Sequence, residues 1–290
     1  MPVRVAAIVS VLLVGSFLIA GRVLPEIVAG AVLHPDRTTA RAQLPEGCVD
    51  RQFESDGIRI VGWQCRASVP ARGTVVYLHG IADNRASASG IVERFRSQGF
   101  DVIAYDGRAH GDSGGDACTY GYFEKRDLRR VLDQVSPALP VILIGQSLGG
   151  AVALQAAVGD PRVATVVAAE VFSDLASVVH DRAPALVPNW ILARGLRLAE
   201  QRGRFVVANV SPVRAAAELR IPVLLIHGAR DVDTSAEHSR RVFAALGGRK
   251  RLIIVEHARH NESLRDAAVW SEIDRWIDAA VAPPARIGAS

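Results

Sequence analysis

The chain predicts an α/β fold, a mostly parallel central sheet with helices on both faces. Three observations carry that prediction. Short runs rich in Val, Ile and Leu alternate with longer segments of helical period. The runs are continuously apolar, as strands covered on both faces must be. One of them ends in Gly145-Gln146-Ser147-Leu148-Gly149, where a strand gives way to a stretch of helix formers. With 290 residues and 49% hydrophobic content, the chain can bury one sizeable core.

Gln52–Glu54 and Ile58–Cys65 read as a hairpin around Asp56-Gly57, a two-residue turn signal. Buried-type strands follow at Thr74–His79, Asp101–Tyr105, Val141–Ile144, Val163–Ala169, Val223–Ile226 and Leu252–Val255. Helical patterns fall between and after them, at Ser89–Gln98, Glu124–Val135, Leu148–Val158, Ala236–Ala245 and Ala267–Ala280. Phe172–Arg220 holds no sheet strand and is longer than a crossover needs, so it is expected to carry a small helical lid. Within it, the apolar stretch Ala185–Leu192 either packs on the core or walls a pocket over the strand ends.

The pentapeptide at 145–149 has the layout of a nucleophile elbow, a sharp strand-to-helix turn that holds a serine in strained geometry. Ser147 is the candidate nucleophile. A serine hydroxyl is weak at neutral pH and needs a base, an acid to orient that base, and donors for an oxyanion. Ile221–Gly228 reads as a strand and turn followed by Ala229-Arg230-Asp231, which makes Asp231 the candidate acid. Arg251–Val255 leads into Glu256-His257-Ala258-Arg259-His260-Asn261, which makes His260 the candidate base. His257 competes with His260, and Asp233 competes with Asp231, although Asp233 has a simpler reading as a solvated or helix-capping residue. His79, His110 and His227 each precede a glycine at a strand end, where an imidazole commonly satisfies local backbone groups.

Six ordered motifs now stand together: Leu78-His79-Gly80-Ile81, Asp106 to Gly115, Thr119-Tyr120-Gly121-Tyr122-Phe123-Glu124, the serine elbow, His227-Gly228-Ala229-Arg230-Asp231, and His260-Asn261. In this order the chain resembles the α/β-hydrolase superfamily over roughly Arg51 to Ala280. Within that superfamily it is similar to small membrane-tethered serine hydrolases of the ABHD type. The resemblance implies an α/β-hydrolase fold and hydrolysis of carboxylic esters or thioesters, lipid-derived ones included, through an acyl-enzyme. It further implies that the backbone N–H groups of Ile81 and Leu148 form the oxyanion hole. A peptidase on the same fold, or a catalytically idle binding protein, is the alternative.

Composition narrows the remaining classes. The net charge of +4 comes from arginines scattered among acids, without a basic run or interleaved aromatics, so no nucleic-acid partner is expected. There is no His-Glu-x-x-His and no Cys-x-x-Cys, and no metal or other cofactor is implied. The Asp106–Gly115 stretch lacks the Gly-Lys-Ser/Thr ending of a phosphate loop and reads as a tight loop beside the site.

The N-terminus reads as a membrane anchor over residues 1–34. Val5–Ala20 is uncharged and apolar, about 24 Å as a helix against a hydrocarbon core of about 30 Å, so the span would continue past Arg22. A linker over 35–50, the hydrolase domain over 51–282 with its lid at about 172–220, and a tail over 283–290 complete the expected organisation. The side of the membrane is contested. Arginines after the span favour a cytoplasmic domain, whereas the hairpin register brings Cys48 opposite Cys65, and a disulfide there requires an oxidising compartment.

Overall fold

In the computed structural model, which describes residues 21–39 and 43–282, eight strands form one sheet. They are β1 (Cys48–Ser55), β2 (Ile58–Cys65), β3 (Gly73–Leu78), β4 (Phe100–Tyr105), β5 (Val141–Gln146), β6 (Val163–Ala169), β7 (Val223–Gly228) and β8 (Lys250–Val255). The spatial order is β1-β2-β4-β3-β5-β6-β7-β8. The β1–β2 hairpin joins the sheet antiparallel, and β3 to β8 run parallel. This is the expected α/β architecture, that of the α/β-hydrolase fold.

Residues 21–33 are helical (α1), and α2 (Ser89–Ser97), α3 (Glu124–Leu132), α4 (Leu148–Ala157), α5 (Leu175–Arg182), α6 (Asn189–Gly203), α7 (Pro212–Glu218), α8 (Ala236–Ala245) and α9 (Ala267–Val281) follow. Side chains alternate across each central strand, so one apolar run serves two cores. Val76, Leu143 and Leu225 pack with α3 and α4, while Val75, Ile142 and Leu224 pack with α2 and α9. Strand order reverses at β3 and β5, and the crevice beyond their carboxyl ends is where such sheets place ligands.

β1 is longer than its sequence pattern shows. It starts at Cys48, inside the expected linker, because it is an edge strand whose mostly exposed residues carry no apolar signal. Cys48 and Cys65 are paired across the hairpin and disulfide-bonded, with Cα atoms 3.9 Å apart. The lid interval holds α5, α6, a short 3-10 turn and α7. Ala185–Leu192 does not act as one wall. Helix α6 starts only after Pro188, Leu186 is 95% exposed, and Ile191 and Leu192 are buried.

Val5–Ala20 and the 283–290 tail lie outside the described residues. The stretch expected to carry the span past Arg22 lies on protein instead. Among the described residues, no helix is long and apolar enough to cross a membrane. Helix α1 packs along α6: a Cβ added at Gly195 would meet Val28 at 2.5 Å, and one at Gly203 would meet Leu33 at 2.7 Å. Glu26 pairs with Arg202, and the Leu33 carbonyl accepts from the Cys118 N–H at 2.8 Å.

Candidate active site

Ser147 sits between β5 and α4 with φ 50° and ψ −113°, a backbone conformation that costs an L-residue energy and persists because the flanking segments dictate it. Its N–H donates to the Ala169 carbonyl at 2.8 Å. The turn is possible only because its neighbours lack side chains. A Cβ at Gly145 would lie 2.4 Å from the Gly149 carbonyl carbon, and one at Gly149 would lie 2.1 Å from the Leu78 carbonyl oxygen.

The loop after β8 brings His260 to the serine, with Nε2 3.0 Å from Ser147 Oγ. On its other side, Nδ1 lies 2.6 Å from Asp231 Oδ2, on the loop after β7. With Nδ1–H donating to the carboxylate, Nε2 is free to accept the serine proton. Asp231 is fully engaged: Oδ1 accepts from the N–H groups of Thr234 at 2.8 Å and Asp233 at 3.0 Å. Burial by itself would raise this carboxyl. Hydrogen bonds from His227 and His260 and the Thr234 N–H outweigh that and hold it well below the usual carboxylate range.

The competing residues are elsewhere. His257 is exposed and faces Asp266 at 3.5 Å. Asp233 donates its backbone N–H to Asp231 Oδ1, and its carbonyl accepts from Arg182 Nε at 3.0 Å. His227, expected to satisfy local backbone, does so through Nε2 at 2.7 Å from the Thr234 carbonyl. It also approaches Asp231 Oδ2 at 3.2 Å, a second contact to the acid that sequence reasoning missed. Only its spacing of four residues from Asp231 hinted at it.

The loop after β3 lies against the elbow, and a Cβ at Gly80 would sit 3.7 Å from that of Ser147. His79 shapes this loop, with Nδ1 2.6 Å from the Gly80 carbonyl and Nε2 accepting from the Gly107 N–H at 2.9 Å. Ile81 follows Gly80 in this loop, and Leu148 opens α4, where an N–H has no intrahelical partner and the helix dipole favours negative charge. The remaining motifs are structural. Asp106 accepts from the Arg85 and Asp112 N–H groups, and Glu124 accepts from Thr119 N, Thr119 Oγ1 and Gly121 N. No cluster of His, Cys, Asp and Glu among the described residues could hold a metal.

Two cavities flank Ile81. An apolar one of about 260 Å³ is walled by α1 through Val28, Ala31 and Val32 and by the lid through Val178, Val187 and Leu192. One of mixed character, about 480 Å³, contains Gly80, Gln146 and Asn261, with Asp83, Arg94 and Arg265 beside Ile91, Leu264 and Trp270 at its wall. The part played by α1 has no sequence signal of its own, because its residues read as an apolar run.

Residues 69–201 match the family model described as serine aminopeptidase, S33, and residues 138–280 match the prolyl oligopeptidase family. The chain is 28% identical to YqkD of Bacillus subtilis over 198 residues, which is 64% of each protein. It is 33% identical to a monoacylglycerol lipase of Mycolicibacterium smegmatis over 101 residues, 33% of this chain and 36% of that one. Among solved structures, the Pyrococcus furiosus esterase Pf2001 superposes with a TM-score of 0.71 at 20% identity, covering 87% of this chain and 99% of the esterase. The chain thus has the α/β-hydrolase fold, and two hydrolase family models each match just under half of it.

Proposed function

We propose that the protein is a serine hydrolase that cleaves carboxylic esters or thioesters of apolar acyl groups through an acyl-enzyme. The observation that carries this reading is the continuous hydrogen-bonded line from Ser147 Oγ through His260 to buried Asp231. Ser147 Oγ attacks the carbonyl carbon as His260 Nε2 takes its proton. The oxyanion that forms is held by the N–H groups of Ile81 and Leu148. His260 then returns the proton to the departing alcohol or thiol, and water repeats the sequence to release the acid. Asp231 keeps the imidazole tautomer and orientation throughout.

The apolar cavity beside Ile81 suits the acyl chain, and the mixed one, which carries Asp83, Arg94 and Arg265, suits the leaving group. The partial likeness to a monoacylglycerol lipase points the same way. A peptidase is the second reading, favoured by the descriptions of both matching families. The membrane anchor rests on the sequence of Val5–Ala20 alone, and the Cys48–Cys65 bridge favours an oxidising compartment for the domain.

Labelling by a fluorophosphonate probe, followed by rates on p-nitrophenyl esters of rising chain length beside thioester and aminoacyl-amide substrates, tests the proposal. Esters or thioesters should dominate. Faster turnover of the amides would move the assignment to a peptidase, and absence of labelling would sink the serine mechanism.

A further inference from the structure

At the far end of α4 from Ser147, about 15 Å along the helix axis, lies a cleft of about 690 Å³. Core helix α3 contributes Lys125, Arg126 and Arg129 to it, and the returning segment of the lid contributes Arg204 and Arg214, against one acid, Glu218. Five cations facing one carboxylate is a local excess that the near balance of the whole chain, 34 basic against 30 acidic residues, does not lead one to expect.

The charges are oriented but mostly not neutralised. Arg129 donates to the Val158 carbonyl at 3.1 Å, and Arg214 donates to the Ala208 carbonyl and, at 3.4 Å, to Asn209 Oδ1. These acceptors are neutral, so they fix each guanidinium in direction and leave its charge available. Only Arg126 has an acid, Asp56 at 3.2 Å. Among the described residues no carboxylate forms an ion pair with Lys125, Arg129, Arg204 or Arg214, although the charge of Arg129 helps to lower the Asp160 carboxyl. Burial and the neighbouring Arg129 and Arg126 push the Lys125 ammonium below its ordinary value, as expected where like charges share a cleft without a counterion.

We infer that this cleft is a binding site for a phosphate-bearing polyanion, which bridges α3 of the core to the segment that returns from the lid. Guanidinium groups bind phosphate oxygens through paired N–H donors, and a cleft of this size holds more than one phosphate. The phosphates can belong to a lipid headgroup or to a soluble polyphosphate. The site uses no residue of the Ser147 triad, so its test is independent of the proposed chemistry.

Titration of the full chain, in neutral detergent, with inorganic pyrophosphate by calorimetry is the direct experiment. Saturable binding is expected, weakened about tenfold in Arg204→Gln and in Arg214→Gln, since one charge-assisted contact is worth about that factor. Arg130→Gln, which removes an exposed cation outside the cleft, should bind as the parent does, and so should Ser147→Ala. Displacement of pyrophosphate by phosphatidylcholine vesicles containing phosphatidate, but not by phosphatidylcholine alone, identifies the headgroup source. Failure of both vesicles to displace it identifies a soluble ligand, and either result upholds the site. Absence of saturable pyrophosphate binding to the parent overturns the inference, as does equal weakening by Arg130→Gln.

Discussion

Gly149 faces the carbonyl oxygen of Leu78 so closely that a Cβ built on it would stand 2.1 Å away. The first turn of α4 is thus pressed against the end of β3, and that contact sets Leu148 beside the loop bearing Ile81. Gly149→Ala has to separate the two segments. It should cost about 3 kcal/mol, the upper range for overpacking, and slow fluorophosphonate labelling of whatever remains folded. Denaturant midpoints and labelling rates, measured together, check this, and an unchanged midpoint would show that the backbone yields easily.

Ser147→Ala should leave a folded protein whose turnover falls on the order of a millionfold, because the triad acts as a unit. Circular dichroism beside ester hydrolysis separates loss of chemistry from loss of fold. Normal probe labelling of this variant would place the nucleophile elsewhere.

His260→Ala should abolish hydrolysis, and His257→Ala should retain most of it. The first imidazole lies 3.0 Å from Ser147 Oγ, whereas the second is exposed beside Asp266. Turnover of the two variants on one ester decides between them, and the opposite ranking would transfer the base to His257.

Asp231→Asn should cost on the order of ten-thousandfold in turnover, since an amide favours the wrong imidazole tautomer. Stability should respond to pH in a defined sense. The folded carboxyl is held below its unfolded value, so its contribution is complete above about pH 4 and is lost as pH falls further. Unfolding midpoints of parent and variant should therefore converge on acidification below that value. A gap constant with pH would remove the carboxylate from the balance.

The Cys48–Cys65 bridge spans a sequence separation of 17 residues and should stabilise the domain by about 3 kcal/mol in the chain-entropy model. Alkylation of the protein as isolated from its native cells should modify Cys48 and Cys65 only after reduction. Cys118 is a buried thiol and should react only on unfolding. Ready modification of Cys48 and Cys65 without reductant would instead favour a reducing, cytoplasmic setting.

Sequence by itself determined the class of fold, the serine at the elbow and the two loops from which an acid and a base could come, because these are written in local chemistry. Continuous Val, Ile and Leu runs specify strands covered on two faces, and Gly145 and Gly149 permit a turn that other residues would block. The hairpin register, and with it the facing of Cys48 and Cys65, also follows from the Asp56-Gly57 turn.

Tertiary structure alone decided the rest. Both His257 and His260 lie on the loop after β8, and only its path over the sheet selects the one that reaches Ser147. His227 meets Asp231 because β7 ends beneath the turn that Thr234 closes, and an apolar pattern carries no trace of that. Helix α1 looks in sequence like the end of a membrane span, since Val28, Ala31 and Val32 are as compatible with lipid as with protein. Gly195 and Gly203 on α6 supply the close surface that seats it beside the apolar cavity. The cationic cleft likewise joins residues about eighty positions apart, and its charge excess arises only when α3 and the segment after α6 come together.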